Sequence, residues 1–170
     1  MRKLLLLSAY LFMINTGFCQ TSPQTDSLPA YIQLNNLPAF VAYKAPDSTA
    51  FYKKDLQSRM PELLMIFSPD CGHCQHVTKE ILDNISHFKK TKIVMITWLP
   101  YSEMMQFYKT FNIANYPQIT MAWDAKFFFL PYFHVTTYPK LIVYDKKGNF
   151  VKEFQGELQI EDVWKALGKK

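Results

Sequence analysis

The sequence predicts a single α/β domain whose sheet is at least partly parallel, and three observations carry that prediction. An apolar run at residues 63–67 is followed by a helical pattern that extends to residue 88. A second apolar run, at residues 92–97, is rich in β-branched residues and precedes another helical pattern. The chain ends in two strand-like runs and an amphipathic helix. Strands that alternate with helices form parallel sheets through right-handed crossovers.

The first nineteen residues have the three regions of a secretory signal peptide. A short basic start is followed by an apolar run at residues 4–14 and a polar stretch at 15–20. The apolar run is shorter than the roughly 20 residues that a membrane span requires. Gly17 and Cys19 are small residues at the spacing that a signal peptidase needs. We therefore expect cleavage after Cys19 and export of a soluble protein to the periplasm.

A lipoprotein signal is the alternative for the leader, with Cys19 acylated and the mature protein anchored to a membrane. Lipoprotein signals carry a small residue directly before the cysteine, whereas this chain has Phe18. The pattern therefore favours the soluble form. In either case Cys19 takes no part in the fold.

The mature chain is expected to be one domain at residues 31–170, preceded by a flexible tether at 20–30 that is rich in Thr, Ser, Pro and Gln. The formal net charge of +5 falls to +3 without Arg2 and Lys3, since 17 basic residues then face 14 acidic ones. The basic residues are scattered along the sequence. This distribution does not support nucleic-acid binding.

The first part of this domain shows weak patterns. Residues 31–43 contain prolines and short apolar runs that suit an edge strand. Residues 46–48 predict a turn, and residues 51–60 are compatible with a short helix or a strand-like segment.

The sequence patterns are clearer in the second half of the domain. A helix is expected to start at residues 100–102, whereas residues 116–121 suit either a short strand or an extended loop. Residues 126–133 are strongly aromatic, which predicts a short helix that belongs to the core or covers it. A strand at 141–144, a turn at 146–149 and a returning strand at 150–154 lead to a terminal helix with an apolar stripe.

Two cysteines two residues apart, Cys71 and Cys74, lie where the first strand meets its helix. The first N–H groups of a helix are unpaired and its dipole is positive there, so a thiolate at Cys71 is stabilised. Cys71 is the predicted nucleophile, and Cys74 lies one turn further in. His73 would add positive charge when protonated, whereas the carboxylate of Asp70 would oppose the thiolate.

The mature chain has no cysteines besides these two. A disulfide that closes so short a loop constrains the unfolded chain little, so it would be a poor structural staple. A reactive pair is the better interpretation, and we expect Cys71 and Cys74 to form a redox-active disulfide.

The strand followed by Cys71-Gly72-His73-Cys74 at a helix start resembles the active site of the thioredoxin superfamily. The Gly-His pair is similar to that of protein disulfide isomerase domains, and the leader points to the extracytoplasmic TlpA- and ResA-like thiol–disulfide oxidoreductases. The resemblance covers roughly residues 60–170. It implies a thioredoxin-like fold, with a central mixed β-sheet flanked by helices and an N-terminal strand or hairpin extension.

The resemblance also implies that Pro139 is a cis-proline beside the cysteines, with Tyr138 presenting its backbone to a bound substrate strand. The alternative is a trans proline that starts an edge strand. Two positions depart from the family. Asp70 stands where thioredoxins have tryptophan, and Met65 stands where they bury an acid that takes the proton of the second cysteine. The proton acceptor for Cys74 is therefore unassigned.

The motif is also compatible in principle with metal or haem chemistry. A c-type haem site requires histidine directly after Cys74, and Gln75 is there. A structural zinc site needs a second ligand pair, which the mature chain lacks. An extracytoplasmic Cu(I) carrier that uses both cysteines and His134 remains an alternative.

The favoured function is an exported thiol–disulfide oxidoreductase without cofactor or metal. Its predicted partners are protein thiols and disulfides and a membrane-bound electron donor. Reduction of substrates is preferred, on the TlpA/ResA likeness, over the oxidase or isomerase direction that the histidine of the motif favours.

Overall fold

The computed structural model of the chain describes residues 29–33, 39–56 and 59–168. The predicted signal peptide, residues 1–19, and the predicted tether up to residue 28 lie outside them. Across the described ranges, no helix is long and apolar enough to cross a membrane.

Strands and helices alternate through most of the described chain. The strands are β1 Val41–Lys44, β2 Ala50–Tyr52, β3 Glu62–Ile66, β4 Lys92–Thr97, β5 Ile119–Trp123, β6 Lys140–Tyr144 and β7 Phe150–Gln155. The α-helices are α1 Ala30–Gln33, α2 Gly72–Asp83, α3 Tyr101–Thr110, α4 Phe129–Tyr132 and α5 Ile160–Ala166.

The strands form one mixed sheet in the order β2-β1-β5-β4-β3-β6-β7. The pairs β3–β4 and β4–β5 are parallel, and the other neighbours are antiparallel. The carboxyl ends of β3, β4 and β5 therefore meet at one edge of the sheet. The predicted mixed sheet and the N-terminal hairpin, formed by β1 and β2, are confirmed.

Both faces of the sheet are covered, which explains why β3, β4 and β6 are apolar apart from polar residues at their ends. Leu63, Met65 and Phe67 point to one face, where they pack with residues of α2, α3 and α5 in what we call the front cluster. Leu64 and Ile66 point to the other face. There they pack with residues of α1 and α4 in the back cluster.

Helix α2 begins at the motif because Cys71 is its N-cap, with extended backbone (φ −81°, ψ 116°). The helix ends at Asp83, and a 3-10 turn at Ile85–Phe88 follows. The predicted apolar stripe from Cys74 to Phe88 therefore spans two elements. Both of these end residues are fully buried in the front cluster.

The prediction of an edge strand at residues 31–43 was wrong. Tyr31 lies in α1 and is buried in the back cluster, whereas the strand of this region, β1, is internal. Strand β2 forms the edge instead, because it pairs with the outer side of β1. The hydroxyl of Tyr31 donates a hydrogen bond to Glu153 at 2.7 Å, a contact across the chain that no local pattern encodes.

The structure defines the secondary structure of three segments for which the sequence pattern was weak or fitted more than one element. Residues 51–60 contain the end of β2 and a 3-10 turn at Lys53–Leu56. Residues 119–123 form strand β5, which pairs with β1 and β4. The aromatic segment contains α4, and Phe129 and Phe133 are buried in the back cluster, so its main role is in the core.

Glu62 is expected to make the fold less stable as the pH rises from about 4.5 to 7. Burial raises the pKa of Glu62 to about 7, although the charge of Lys92 opposes this. Over that range the folded chain holds a proton that the unfolded chain has lost, so the free energy of unfolding falls as pH rises and levels off above 7. The shift corresponds to about 3 kcal/mol at most, and solvent screening reduces the expected loss to about 1–2 kcal/mol.

Urea denaturation of Glu62→Gln between pH 5 and pH 8 measures this effect. The variant should lose most of the pH dependence and be more stable than wild type at pH 8. Glu161→Gln, which removes an exposed carboxyl of α5, is the control and should retain it. A wild-type stability that rises from pH 5 to pH 7 would contradict the assignment.

Candidate active site

The two cysteines lie at the carboxyl edge of β3, in the first turn of α2. The N–H of Cys74 donates a hydrogen bond to Cys71 Sγ at 3.3 Å, so the sulfur of Cys71 caps the helix. Cys71 is partly exposed, whereas Cys74 is completely buried, and both are free thiols. The sulfur of Cys71 therefore lies at the positive end of the helix dipole. The geometry gives one accessible sulfur at the helix start and one sheltered sulfur behind it.

The sheltered position of Cys74 makes its thiol reluctant to ionise. Burial raises the pKa of the Cys74 thiol, and its hydrogen bond with Cys71 raises it further. Met65, the residue at the position of the family's buried acid, is fully buried in the same front cluster. The sequence and the structure therefore agree that β3 supplies no carboxylate at position 65.

The loop before β6 lies against the cysteines. Tyr138 O is 4.0 Å from Cys71 Sγ, and the Tyr138–Pro139 peptide bond is cis. Burial raises the pKa of Tyr138, and the charges of Cys74 and Cys71 raise it further. Tyr138 and Pro139, predicted to bind substrate, therefore lie next to the predicted nucleophile.

A short loop between β3 and α2 holds the first cysteine in place. The N–H of Cys71 donates to Ser68 O at 3.1 Å, and Gln75 Nε2 donates to Pro69 O at 2.9 Å. The buried Ser68 also donates its hydroxyl to Asp70 Oδ1. Asp70 is exposed and precedes Cys71 in the chain, and its predicted opposition to the Cys71 thiolate stays a prediction.

The remaining motif residues face solvent. Gly72 and His73 are exposed in the first turn of α2. A Cβ at Gly72 would meet nothing within 4 Å of the described atoms, so packing there does not require glycine. The structure shows no contact that assigns a role to His73, and its influence on the Cys71 thiolate stays a prediction.

The Cu(I) alternative finds no support in the geometry. His134 is in ring contact with Tyr31, at 6.1 Å between centroids, and Tyr31 belongs to the back cluster, across the sheet from Cys74. Within residues 29–33, 39–56 and 59–168, no group of three or more His, Cys, Asp or Glu side chains could hold a metal ion.

Sequence reasoning missed an aromatic row that begins beside the cysteines. The ring of Trp98, which follows β4, stacks on Tyr138 at 4.9 Å between centroids. Phe127, 52% exposed, contacts the edge of Trp98 at 6.4 Å. The carboxyl ends of β4 and β5 bring these residues together. The aromatic composition of residues 126–133 was the only available signal for this row.

The sheet order, the cysteine pair at the start of α2 and the proline before β6 together define a thioredoxin-like fold. Solved structures agree, which confirms at the level of the fold the resemblance seen in the motif. A dsbF protein from MTB, in mixed oxidized and reduced forms, aligns with a TM-score of 0.64 and 20% identity, over 84% of this chain and 98% of its own.

Two further structures have the same fold. A secreted disulfide oxidoreductase of Mycobacterium tuberculosis, homologous to E. coli DsbE, aligns with a TM-score of 0.63 and 15% identity, over 76% of this chain and 94% of its own. An exposed lipoprotein thioredoxin of Streptococcus pneumoniae aligns with a TM-score of 0.58 and 17% identity, over 77% of this chain and 98% of its own. No protein-family model and no curated protein sequence matches the chain.

Proposed function

We propose that this protein is a thiol–disulfide oxidoreductase that exchanges disulfides with protein substrates through Cys71 and Cys74. The observation that carries the proposal is the arrangement of the two sulfurs. Cys71 Sγ caps α2 and is accessible beside Tyr138, while Cys74 is buried one helical turn behind it. Such a pair separates an attacking thiolate from a resolving thiol.

The reaction has two exchange steps. The Cys71 thiolate attacks one sulfur of a substrate disulfide, that S–S bond breaks, and the other substrate sulfur leaves as a thiolate. Cys74 then loses its proton and attacks Cys71 Sγ, which forms the Cys71–Cys74 disulfide and releases the second substrate thiolate. Two electrons have passed from the protein to the substrate. Run backwards, the same steps oxidise a substrate dithiol.

The surface beside Cys71 suits an extended polypeptide. Tyr138 offers a backbone carbonyl close to the nucleophile, so a substrate strand can pair with this loop while its cysteine reaches Cys71. Trp98 and Phe127 extend an apolar surface away from that loop. These features support a protein substrate rather than a small disulfide.

Reduction of substrates is the direction that we propose, with a membrane-bound donor that returns electrons to the Cys71–Cys74 disulfide. Two fold neighbours support an extracytoplasmic setting, since one is described as secreted and another as an exposed lipoprotein. We propose export under the leader at residues 1–19. Fractionation of cells that express wild type and Cys19→Ala tests this, because only an acylated form would change from membrane-bound to soluble.

The reduction potential of the Cys71–Cys74 pair, measured by equilibration in thiol buffers, tests the function itself. A value near −250 mV or lower is expected for a reductase, whereas about −180 to −120 mV would indicate an oxidase or isomerase. Failure to form any reversible disulfide between these cysteines would overturn the proposal.

Replacing Trp98 by alanine is expected to weaken exchange with protein substrates about 5- to 10-fold in kcat/KM, since stacked aromatic contacts contribute about 1 kcal/mol. Reaction with a small aromatic disulfide should change less than about 2-fold. Tyr52→Ala, which removes an exposed aromatic side chain of the distant edge strand β2, is the control. Equal losses on protein and small substrates would show that Trp98 supports the local structure and does not recognise the substrate.

A further inference from the structure

Phe127 has the most exposed large hydrophobic side chain of the described residues, at 52%. Its backbone has φ +53°, in the left-handed region that bulky residues rarely adopt, whereas glycine adopts it without strain. The chain therefore holds an aromatic ring in solvent at a position where glycine would fit more easily. Backbone strain of this kind persists only where the surrounding structure imposes it, and it is common at ligand-binding sites.

Asp124 fixes the turn that carries Phe127. This aspartate is buried, and its Oδ2 accepts a hydrogen bond from the Phe129 N–H at 2.8 Å. Its backbone carbonyl accepts one from the Phe127 N–H at 3.1 Å, and its N–H donates to Thr97 O at 2.8 Å. Since Thr97 directly precedes Trp98, these bonds join the turn of Phe127 to the end of β4. The ring contact between Phe127 and Trp98 therefore rests on a fixed backbone.

Phe127 also forms part of the wall of an apolar groove of about 750 Å³. Other parts of the wall are Phe40, Phe128 and Tyr132, and the rings of Phe128 and Tyr132 stack at 5.2 Å between centroids. Lys126 is the one charged side chain among the described residues that line the groove. A groove of this size and lining suits a large apolar side chain and disfavours a basic one.

The groove continues the aromatic row that begins beside the nucleophile. Phe127 belongs to both, and the row reaches Cys71 through Trp98 and Tyr138. A substrate strand that pairs with the Tyr138 loop advances about 3.3 Å per residue, so a side chain about three to five residues from the reacting cysteine can enter the groove. This continuity favours the substrate polypeptide as the occupant of the groove.

We propose that Phe127 is a specificity-determining residue and that the groove beside it binds a large apolar side chain of the protein substrate. This inference rests on the proposed exchange function. An apolar side chain in the groove holds the substrate strand along the aromatic row while the substrate disulfide reaches Cys71. The preferred substrates are therefore polypeptides that carry an aromatic or large aliphatic residue about three to five residues from a disulfide-bonded cysteine.

Peptides with one cysteine, joined by a disulfide to 2-nitro-5-thiobenzoate, test this inference. The Cys71 thiolate of the reduced protein attacks the peptide sulfur, that disulfide breaks, and the coloured nitrothiobenzoate thiolate leaves. Its release gives the second-order rate constant. The peptides carry Phe, Ser or Lys at one position, about three to five residues before or after the cysteine. The variants are Phe127→Gly, Phe127→Ala and Phe127→Leu, and the control is Val151→Ala, which shortens an exposed hydrophobic side chain of the edge strand β7.

Wild type is expected to react about 5- to 10-fold faster with a Phe peptide than with the matching Ser peptide in at least one position, and the Lys peptide should be slowest. In Phe127→Gly and Phe127→Ala this preference should fall below about 2-fold, whereas Phe127→Leu and Val151→Ala should keep most of it. The small disulfide 5,5′-dithiobis(2-nitrobenzoate) should react equally with every variant. Glycine relieves the left-handed backbone and alanine does not, so Phe127→Gly should melt at a higher temperature than Phe127→Ala.

A wild-type protein without any preference for Phe peptides, or a Phe127→Gly variant that keeps the wild-type preference, would overturn this inference and leave the proposed function intact. Failure of reduced wild type to release the coloured thiolate from any peptide would instead refute the proposed function. Equal losses of melting temperature in Phe127→Gly and Phe127→Ala, with the preference unchanged, would show that the ring of Phe127 serves only to stabilise the fold.

Discussion

Replacing Cys74 by serine is expected to stop the exchange reaction halfway and to accumulate a mixed disulfide between Cys71 and substrate proteins. Cys71 remains partly exposed at the start of α2, so the first attack should proceed. No second sulfur then releases the substrate. Turnover should fall below about 1% of wild type, in line with the loss of a nucleophile that acts as part of a unit.

Non-reducing electrophoresis and mass spectrometry of the adducts measure this outcome. Cys71→Ser is the matched variant and should give neither turnover nor adducts, because Cys74 is fully buried and cannot reach a substrate disulfide. Adducts that form on Cys74 in Cys71→Ser, with none on Cys71 in Cys74→Ser, would show that the roles of the two cysteines are reversed.

Glu153→Gln is expected to lower the free energy of unfolding by about 2–4 kcal/mol, the largest effect that we expect from a single change outside the two hydrophobic clusters. Lys140 follows Pro139 and is only 2% exposed. Its Nζ lies 3.2 Å from Glu153 Oε2 and donates to Tyr31 OH at 3.0 Å and Phe133 O at 2.7 Å. Removing the carboxylate leaves a buried ammonium without a counter-charge, which is costly.

Urea denaturation at pH 7 provides the measurement, and the exposed pair Lys79–Asp83 provides the control. These two side chains are 69% and 58% exposed, so Lys79→Ala should cost less than about 0.5 kcal/mol. The double variant Lys140→Met/Glu153→Leu should recover much of the loss, because both charges are then absent. A Glu153→Gln variant as stable as Lys79→Ala would mean that water, and not Glu153, balances the charge of Lys140.

This ion pair between the buried Lys140 and the partly exposed Glu153 also explains where the N-terminal segment lies. Tyr31 donates to Glu153 and accepts from Lys140, and burial together with Glu153 raises the pKa of Tyr31. These contacts attach α1 to β6 and β7, next to the loop of Pro139. Weakening the pair is therefore expected to loosen α1 as well, which hydrogen exchange would detect at residues 30–33.

Local patterns predicted most of the regular structure. Strands β3, β4 and β6 are buried on both faces, so each is a continuous apolar run apart from polar residues at its ends. Such runs can be recognised in the sequence without knowing the neighbouring strands. Helix α2 shows its buried face through spacing alone. Where burial was mixed, as at residues 116–121, the pattern could not distinguish the strand β5 from a loop.

The prediction for the N-terminal region was wrong because distant residues, and not a local pattern, decide where this region lies. Tyr31 appears in a short, proline-containing apolar stretch that suits an edge strand, yet its position is decided by Glu153 and Lys140, more than a hundred residues away. Only the folded sheet brings those partners together. Helix α1 is a single turn, too short to show a period.

The position of the two cysteines relative to the strand and the helix could be predicted from local sequence. Two cysteines at the junction of an apolar strand and a helix place one sulfur at the helix start and the other one turn inside, a local arrangement set by helix geometry. The residues that surround the two cysteines follow from the folded sheet. Parallel strands that end at one edge bring Trp98 and Phe127 together, and β6 returns Tyr138 to Cys71. Such contacts depend on strand order and direction, which a residue pattern does not encode.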